Sequence, residues 1–339
     1  MNLHFIVPEG VDDPAGPSGG NVYDRQVIRS LAAVGHRIQE HTTTDALEYV
    51  PANATVLVDG LIASAIPELL ARQAKRLNLV ILVHMLFGDD DPSLRPAEAQ
   101  AFRTATAIVT TSEWSRARLL ELYRPLAARV FVAAPGVEPA SPTVPNPDGS
   151  RLLCVAAVAP HKGHDILIDA LTLLEELAWT CTCAGSLSRD PAFAARIALR
   201  TKESGLENRI AFPGPRVGAD LAATYASADL LVVPSRGETY GMVVTEALAR
   251  GIPVVASAAK GLPEALGRAP DGRLPGILVP PEDPAALAIA LRRWLHDPQS
   301  RARLHRSALD RRATLTGWDT TAKRLAETFA VLLEEVPLD

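Results

Sequence analysis

The segment from Leu230 to Ser257 constrains the fold of this chain more than any other, and it reads LLVVPSRGETYGMVVTEALARGIPVVAS. Leu230–Val233 and Val254–Ser257 are short apolar runs, which predict buried strands. Thr239–Arg250 lies between them and predicts a helix that ends at Gly251. A strand, a helix and a second parallel strand form a βαβ unit. Such units bind ligands at the corner where the strand meets the helix.

This corner carries groups that suit a phosphate and hydroxyls together. The backbone N–H groups around Tyr240–Val243 lie near a predicted helix N-terminus, where they attract an anion. Glu238 before the helix and Glu246 inside it have seven residues between them, and their carboxylates can accept hydrogen bonds from hydroxyls. The alternative is that both glutamates lie on a solvated helix face. Phosphate and hydroxyls occur together in a sugar nucleotide, so the segment predicts a site for such a ligand.

The rest of the chain repeats this alternation in two series, which predicts two doubly wound α/β domains. A length of 339 residues suffices for two domains. Leu79–His84 is a nearly continuous apolar run, typical of a parallel strand that is buried on both faces. Pro139–Ser150 contains four prolines and is predicted to be a linker. The first domain is therefore expected at residues 1–140, and the second from residue 151.

Composition restricts the class of protein. The net charge is −5 without a basic block, which disfavours a nucleic-acid partner. Cys154, Cys181 and Cys183 are expected to be buried free thiols in a reducing compartment. No apolar run reaches the ~18–20 residues of a membrane span, and the N-terminus predicts a strand instead of a signal peptide. We expect a soluble, cytoplasmic protein, with peripheral membrane association and oligomeric state left open.

Polar residues and glycines mark two helix boundaries in the first half. Asn21 is the predicted N-cap of a helix over Val22–Val34, and Gly35 follows its last turn. Ser112 is the predicted N-cap of a second helix that continues to Tyr123.

Two further places in the first half offer groups to a ligand. Gly19 and Gly20 end the loop GPSGGN, where backbone can approach a ligand closely, although a plain turn is the alternative. The loop matches neither a dinucleotide fingerprint nor a GxxxxGK[ST] phosphate loop. His84 ends a buried strand, and such ends face the ligand-binding edge of the sheet. A purely structural histidine is the alternative. Asp89 and Asp91 are interpreted as part of a solvated loop or an acceptor-side contact.

Lys162 and Gly163 stand before an amphipathic helix near the start of the second domain. A lysine at a helix N-terminus is electrostatically unfavourable unless an anion is bound there. The position predicts a bound phosphate beside Lys162, and a surface lysine is the alternative.

The segment VPSRGETYGMVVTEALARGIPVVAS resembles the Glu–seven residues–Glu signature of the retaining glycosyltransferases of family four, which have the GT-B fold. APGVE at 134–138, KGLPEAL at 260–266 and GILVPPEDPAALAIAL at 276–291 are similar to further motifs of that family, in the same order. The resemblance implies two Rossmann-like domains that face each other across a cleft. It also implies that a helix at about 318–335 crosses back to the first domain, which leaves residues 151–317 to the second.

The resemblance implies roles for individual residues. His84, Lys162 and Glu238 are the implied catalytic residues. His84 lines the reaction centre, Lys162 binds the diphosphate, and Glu238 orients the donor sugar. Glu246 is implied to bind the ribose. The complete implied donor site comprises Gly19, Gly20, Lys162, Arg216, Val217, Glu238, Thr239, Tyr240, Gly241, Met242, Val243 and Glu246.

One position departs from the family pattern. The family has an arginine five residues before the lysine, and this chain has Ala157 there. The departing diphosphate therefore lacks one expected cation. The residues that are alternatives for this role are His161, His164 and Arg236.

The resemblance implies a retaining glycosyltransferase that moves a sugar from a nucleotide-diphosphate sugar to an unidentified acceptor. The second domain would hold the nucleotide, with Arg216 and Val217 at the base, and the first domain would hold the acceptor. No cofactor and no metal are expected, and UDP- or GDP-linked donors are favoured over ADP-linked ones. The alternatives are a GT-B epimerase or hydrolase of sugar nucleotides, and a nucleotide-sugar-binding protein with weak catalysis.

Overall fold

The computed structural model describes residues 1–125 and 127–334, and the chain divides into two units. Unit 1 comprises residues 1–12 and 18–136 together with the segment that starts at Thr316. Unit 2 comprises residues 13–17 and 137–315. Each unit is built on one six-stranded sheet with helices between successive strands, which is the predicted doubly wound α/β pattern.

Unit 1 has a parallel sheet with the strand order β2-β1-β3-β4-β5-β6. Its strands are β1 (Asn2–Ile6), β2 (Arg37–His41), β3 (Thr55–Asp59), β4 (Asn78–Val83), β5 (Ala107–Thr110) and β6 (Val130–Val132). Its helices before the linker are α1 (Gly19–Ala33), α2 (Ala46–Tyr49), α3 (Gly60–Ala65), α4 (Pro67–Gln73), α5 (Phe87–Asp90), α6 (Arg95–Thr104) and α7 (Glu113–Tyr123).

Unit 2 has a parallel sheet with the strand order β12-β11-β10-β7-β8-β9. Its strands are β7 (Arg151–Val155), β8 (Thr180–Ala184), β9 (Ile210–Gly214), β10 (Leu230–Val233), β11 (Val254–Ser257) and β12 (Gly276–Val279). Its helices are α8 (His164–Thr172), α9 (Pro191–Glu203), α10 (Gly218–Ala226), α11 (Met242–Leu248), α12 (Leu262–Leu266), α13 (Pro284–His296) and α14 (Pro298–Arg312).

The order of strands reverses once in each sheet, between β1 and β3 in unit 1 and between β7 and β10 in unit 2. Open α/β sheets bind ligands beyond the carboxyl ends of the strands at such a reversal. The loops that follow β7 and β10 are therefore the candidate ligand-binding loops of unit 2. In unit 1 the corresponding positions are the carboxyl ends of β1 and β3.

The central strands are buried on both faces because helices cover each sheet from both sides. All five residues of β4 from Leu79 to Val83 have no exposed surface. In unit 2, Leu230 and Val232 pack into the apolar cluster on one face of the sheet. Leu231 and Val233 pack into the cluster on the other face. Burial of each such side chain contributes about 1.5–3 kcal/mol to the stability of the fold. The apolar runs of the sequence are thus the central strands of the two cores.

The last helix, α15 (Trp318–Glu334), belongs to unit 1, as the resemblance implied. The Trp318 ring packs edge-on against Tyr23 of α1, with 5.5 Å between ring centres. Gly136, the last residue of unit 1 before the linker, lies against Trp318, where the chain returns to unit 1. A Cβ on Gly136 would lie 2.3 Å from the backbone nitrogen of Trp318. Residue 335, the predicted end of this helix, lies outside the described residues.

One predicted helix cap is wrong and another is confirmed. Helix α1 begins at Gly19 and not after Asn21, because Ser18 has extended backbone and its hydroxyl accepts a hydrogen bond from the Asn21 N–H at 3.1 Å. Ser112 caps α7 as predicted, since its hydroxyl accepts from the Ser115 N–H at 2.9 Å.

Helix α11 begins three residues later than predicted, at Met242 instead of Thr239. The cause is Gly241, whose φ of 97° lies in the left-handed region that a helix cannot include. Glu246 therefore lies little more than one turn inside the helix, not two turns. The sequence analysis also did not predict β12 as a strand.

The structure bears out the expectation about the thiols and corrects the one about the aspartate loop. All three cysteines are buried and free. Asp89 is not part of a solvated loop, because its side chain is 9% exposed and pairs with Arg118 at 2.6 Å. Within the described part of the chain, no helix combines the length and the apolar character that crossing a membrane would require.

Candidate functional site

The loops after β7 and β10 are joined to each other at the strand-order reversal of unit 2. The Arg236 N–H donates a hydrogen bond to the His161 carbonyl at 2.8 Å. Gly163 has a φ of 71°, and a Cβ there would lie 2.1 Å from the Pro234 carbonyl oxygen. The second loop thus packs on the backbone of the first, which leaves no room for a side chain at Gly163.

This packing brings together two of the implied catalytic residues. The Lys162 ammonium lies 2.7 Å from Glu238 Oε1, and the Ser235 hydroxyl donates to the same oxygen at 2.9 Å. The lysine and glutamate side chains are 22% and 16% exposed. Solvent therefore reaches this ion pair, and an arriving anion can compete with Glu238 for Lys162.

The corner between β10 and α11 is supported by the loop before α12. The Gly261 N–H donates to the Glu238 carbonyl at 2.7 Å. A Cβ on Gly261 would lie 2.1 Å from the Thr239 carbonyl oxygen, so this glycine is also required by close packing. Tyr240 and Gly241 follow in the same turn, and Met242 and Val243 begin α11, so the implied donor residues from 238 to 243 form one continuous corner.

Glu246 is held by a buried tyrosine that was not among the predicted site residues. Tyr225 is fully buried, and its hydroxyl donates to Glu246 Oε2 at 2.7 Å. Burial raises the pKa of Glu246 above its usual range, while the bond from Tyr225 and the charge of Arg250 act to lower it. The Arg250 guanidinium lies 4.6 Å from the centre of the Tyr225 ring. The Glu246 side chain is half-buried, and these contacts orient its carboxylate.

The remaining donor-site residues of unit 2 follow β9, the edge strand of the sheet. Arg216 and Val217 form the turn between β9 and α10, and Val217 is 46% exposed. Ala157, at the position where the family has an arginine, is half-buried in the loop after β7.

The three alternative cations have different surroundings. His164 is fully buried and its Nε2 lies 3.9 Å from the Cys154 thiol, so it faces the interior. Arg236 binds both carboxylate oxygens of Asp165, at 2.7 and 3.0 Å, and also Glu282 at 3.0 Å. His161 is exposed. The geometry therefore disfavours His164, and it shows that two carboxylates already balance the charge of Arg236.

In unit 1, His84 stands between two buried carboxylates that the sequence analysis missed. Its Nε2 lies 2.8 Å from Asp24 Oδ1 and 3.3 Å from Asp59 Oδ2. A Cβ on Gly20 would lie 3.3 Å from the His84 ring, so the glycine loop and this histidine are neighbours. Gly19 is exposed and is the first residue of α1.

The two carboxylates govern the charge of this histidine. Burial alone would lower the pKa of His84, but the attraction and hydrogen bonds of Asp24 and Asp59 outweigh it and raise the pKa to about 10. Burial raises the pKa of Asp24, and His84 opposes that effect. The arrangement thus favours an imidazolium at neutral pH.

Asp24, Asp59 and His84 are also the one group among the described residues whose potential metal-ligand atoms lie within 4.8 Å of one another. His84 Nε2 and Asp24 Oδ1 are 2.8 Å apart, which is a hydrogen-bond distance, so the contacts fit a proton shared between these groups.

The sequence did contain signals for the missed carboxylates. Asp24 shares the buried face of α1 with Val27 and Leu31, where an acidic residue is out of place unless it has a partner. Asp59 ends β3 as His84 follows β4, and the adjacent strands place both at one edge of the sheet.

Comparisons with known proteins identify the family and the fold of the chain. The family described as Glycosyl transferases group 1 matches residues 140–311. The D-inositol 3-phosphate glycosyltransferase of Kineococcus radiotolerans is 32% identical over 256 residues, which are 68% of this chain and 58% of that protein. This chain thus spans less than two thirds of that relative.

Two solved structures share the fold of the whole chain. Sucrose-phosphate synthase from Thermosynechococcus elongatus has a TM-score of 0.81 at 22% identity and covers 99% of this chain and 100% of its own. HepE from Anabaena, solved with UDP and glucose, has a TM-score of 0.80 at 19% identity over 98% of this chain and 100% of its own. These likenesses confirm the two-domain Rossmann-like GT-B fold. Since the family match spans 172 of the 339 residues, the chain belongs to the group 1 glycosyl transferases.

Proposed function

We propose that this protein is a retaining glycosyltransferase that moves a sugar from a nucleotide-diphosphate sugar to an acceptor without using a metal ion. The observation that carries the proposal is the pairing of Lys162 with Glu238 at the strand-order reversal of unit 2. A cation for a diphosphate and a carboxylate for sugar hydroxyls are adjacent where α/β sheets bind ligands. HepE, which shares the fold, was solved with UDP and glucose.

Lys162 is proposed to stabilise the departing diphosphate. Negative charge grows on the leaving group as the bond to the sugar breaks, and a preorganised cation stabilises that charge more than the ground state. Glu238 balances the charge of this lysine. When the diphosphate takes over this role, the Glu238 carboxylate is released to accept hydrogen bonds from hydroxyls of the sugar.

Glu246 and the turn after β9 are proposed to bind the nucleoside. Tyr225 occupies one carboxylate oxygen of Glu246, and the other would accept hydrogen bonds from the ribose hydroxyls. Arg216 and Val217 would lie at the base. UDP- and GDP-linked sugars are the proposed donors, ahead of ADP-linked ones.

Unit 1 is proposed to hold the acceptor, with His84 beside the sugar that is transferred. No residue of the site is proposed as a covalent nucleophile, and the leaving phosphate is proposed to assist attack on the same face of the sugar. The cation that replaces the family arginine at Ala157 is proposed to be His161 or Arg236, because His164 faces the interior.

A thermal-shift screen of UDP-, GDP- and ADP-sugars tests the donor site. A ligand that binds the folded state raises Tm according to its concentration relative to Kd, with about 2.7 kcal/mol gained at one hundred times Kd. We expect a UDP- or GDP-sugar to raise Tm of the wild-type protein. If none of these nucleotides changes Tm, the proposed function is wrong.

Two lysine variants make the screen specific. Lys162→Ala should abolish most of the shift, because the diphosphate loses its cation. Lys202 is an exposed lysine on α9. Lys202→Ala removes the same charge elsewhere in unit 2, and this variant should keep the full shift of Tm. Equal shifts in the two variants would remove Lys162 from the donor site.

Donor turnover then separates transfer from the alternatives. Incubation of a shifting donor with candidate acceptors should yield a glycosylated product with the anomeric configuration of the donor, also in the presence of EDTA. Epimerised or hydrolysed donor without acceptor would favour the epimerase or hydrolase. Binding without any turnover would favour a binding protein, the alternative to which Ala157 points.

A further inference from the structure

His84 makes a contact that is unusual for a histidine at a catalytic edge, since a single ring nitrogen faces two carboxylates. Nε2 lies 2.8 Å from Asp24 Oδ1 and 3.3 Å from Asp59 Oδ2. A neutral imidazole with Nε2 unprotonated would place its lone pair against both anions. With both carboxylates ionised, the geometry therefore places a hydrogen on Nε2.

The two carboxylates are themselves too buried to be left without a positive charge. The side chain of Asp24 is fully buried, and the side chain of Asp59 is 5% exposed. A buried, unpaired carboxylate costs several kcal/mol, so such groups are paired or become neutral. Asp59 Oδ1 is fixed by the Leu61 N–H at 2.7 Å, and within the described residues Asp24 Oδ2 is buried without a hydrogen-bond partner.

Two neighbouring side chains of α1, Tyr23 and Arg25, direct their polar groups elsewhere. Tyr23 of α1 presents its ring to His84 at 5.2 Å between ring centres, while its hydroxyl donates to the Ala133 carbonyl. Arg25, next to Asp24 on α1, directs its guanidinium to Asp12 and Glu40. The imidazole is thus the group placed to balance both carboxylates.

We propose that Asp24 and Asp59 are positioning residues that hold His84 as a permanent imidazolium. In the reaction proposed above, on which this inference rests, His84 then acts as a fixed cation beside the transferred sugar and never as a base. No proton moves through it. The pKa of His84, raised to about 10 by the two carboxylates, agrees with this geometry.

The charge state can be measured directly on the full-length protein by NMR of the histidine Cε1–H groups, labelled with ¹³C, between pH 5 and 9. His84→Gln identifies the His84 resonance among those of the eight histidines. We expect this resonance to keep the imidazolium shift across the whole range in the wild-type protein. A midpoint near the ordinary histidine pKa of ~6.5 would overturn the proposal. Neither nucleotide nor acceptor is needed, so this result is independent of the proposed function.

Asparagine variants test whether the carboxylates are the cause. Asp24→Asn and Asp59→Asn preserve the shape of each side chain and remove its charge, and each should bring the His84 midpoint into the measured range. Asp45→Asn, an exposed residue of unit 1, should leave it unchanged. If an asparagine variant fails to fold, the wild-type titration still decides the charge state.

Kinetics then separates positioning from a structural role. At pH 8, Asp24→Asn should lower kcat about tenfold or more, with a smaller change in donor KM, and part of the loss should be recovered at pH 6, where the imidazole regains its proton. His84→Gln should show the loss without that recovery. An equal loss at both pH values in Asp24→Asn would contradict the proposal. A second result would also contradict it. If Zn²⁺ raised Tm of the wild-type protein and Asp24→Asn abolished that increase, the three residues would form a metal site.

Discussion

At the scale of single residues, the joined loops of unit 2 depend on a glycine that has no room for a side chain. Gly163 combines a positive φ with a neighbouring carbonyl oxygen 2.1 Å from where a Cβ would stand. The lysine beside it reaches Glu238 only if the two loops stay together. A methyl group at position 163 is therefore expected to disturb the donor site before it disturbs the sheet.

We predict that Gly163→Ala destabilises the protein by about 2–4 kcal/mol, through backbone strain and displacement of Pro234. Gly205→Ala is the matched control, since Gly205 has a φ of 68° and no heavy atom within 4 Å of the place that its added methyl group would take. It should cost about 1 kcal/mol. Urea unfolding measures both, and a donor thermal shift should weaken only in Gly163→Ala. Equal losses of stability would show that the loop contact is not important.

His84 makes stability depend on pH. Its folded pKa of about 10 exceeds the unfolded value near 6.5, so its contribution is complete below pH ~6.5 and is lost as pH rises towards 10. The Tm difference between wild type and His84→Gln should therefore shrink from pH 7 to pH 10. Scanning calorimetry of both proteins across this range checks the sign. A difference that grows with pH would show that His84 is neutral in the folded protein.

At the scale of elements, helix starts are decided by one side chain each. Ser18→Ala should cost about 1 kcal/mol, because the Ser18 hydroxyl accepts from the Asn21 N–H and α1 loses this cap. Asn21→Ala should cost less, since Asn21 is not the cap. Urea unfolding of the two variants compares them directly, and the opposite order would restore Asn21 as the start of the helix.

The sequence allowed most strands and helices to be predicted because apolar runs and their periodicity report burial directly. β10 and β11 have the predicted bounds. The start of α11 could not be predicted, because a backbone φ of 97° at Gly241 is a property of three-dimensional packing. β12 is as long as β10 and β11, and it was missed because GILV was interpreted only as part of a family motif.

Individual residues of the candidate site could be predicted from the sequence, but the contacts between their side chains could not. The Glu–seven residues–Glu pattern and the lysine before α8 identified Glu238 and Lys162. Their mutual ion pair joins residues 76 positions apart, so it depends on the strand order of the folded sheet. Asp24 and Asp59 were missed for the same reason, since each becomes a partner of His84 only when α1 and β3 pack beside β4.

At the scale of the whole molecule, unit 1 is formed from segments that precede and follow most of unit 2 in the sequence. Trp318 is 7% exposed and packs on Tyr23, so Trp318→Ala should cost about 3–5 kcal/mol. Hydrogen exchange read by mass spectrometry should show faster exchange in α1 and α15 and unchanged protection in β10 and β11. Faster exchange in those two strands would mean that α15 supports more than unit 1.

The place where the chain re-enters unit 1 also sets an order of events during synthesis on the ribosome. Unit 2 is nearly continuous, so all of its sheet has been translated once residue 315 is made. Unit 1 begins first but waits for Trp318, whose backbone seats against Gly136, before α1 is covered. Domains generally fold in the order in which they emerge. Here the domain that emerges first is the one completed last, and its nascent form exposes the apolar face of α1 while the other domain is translated.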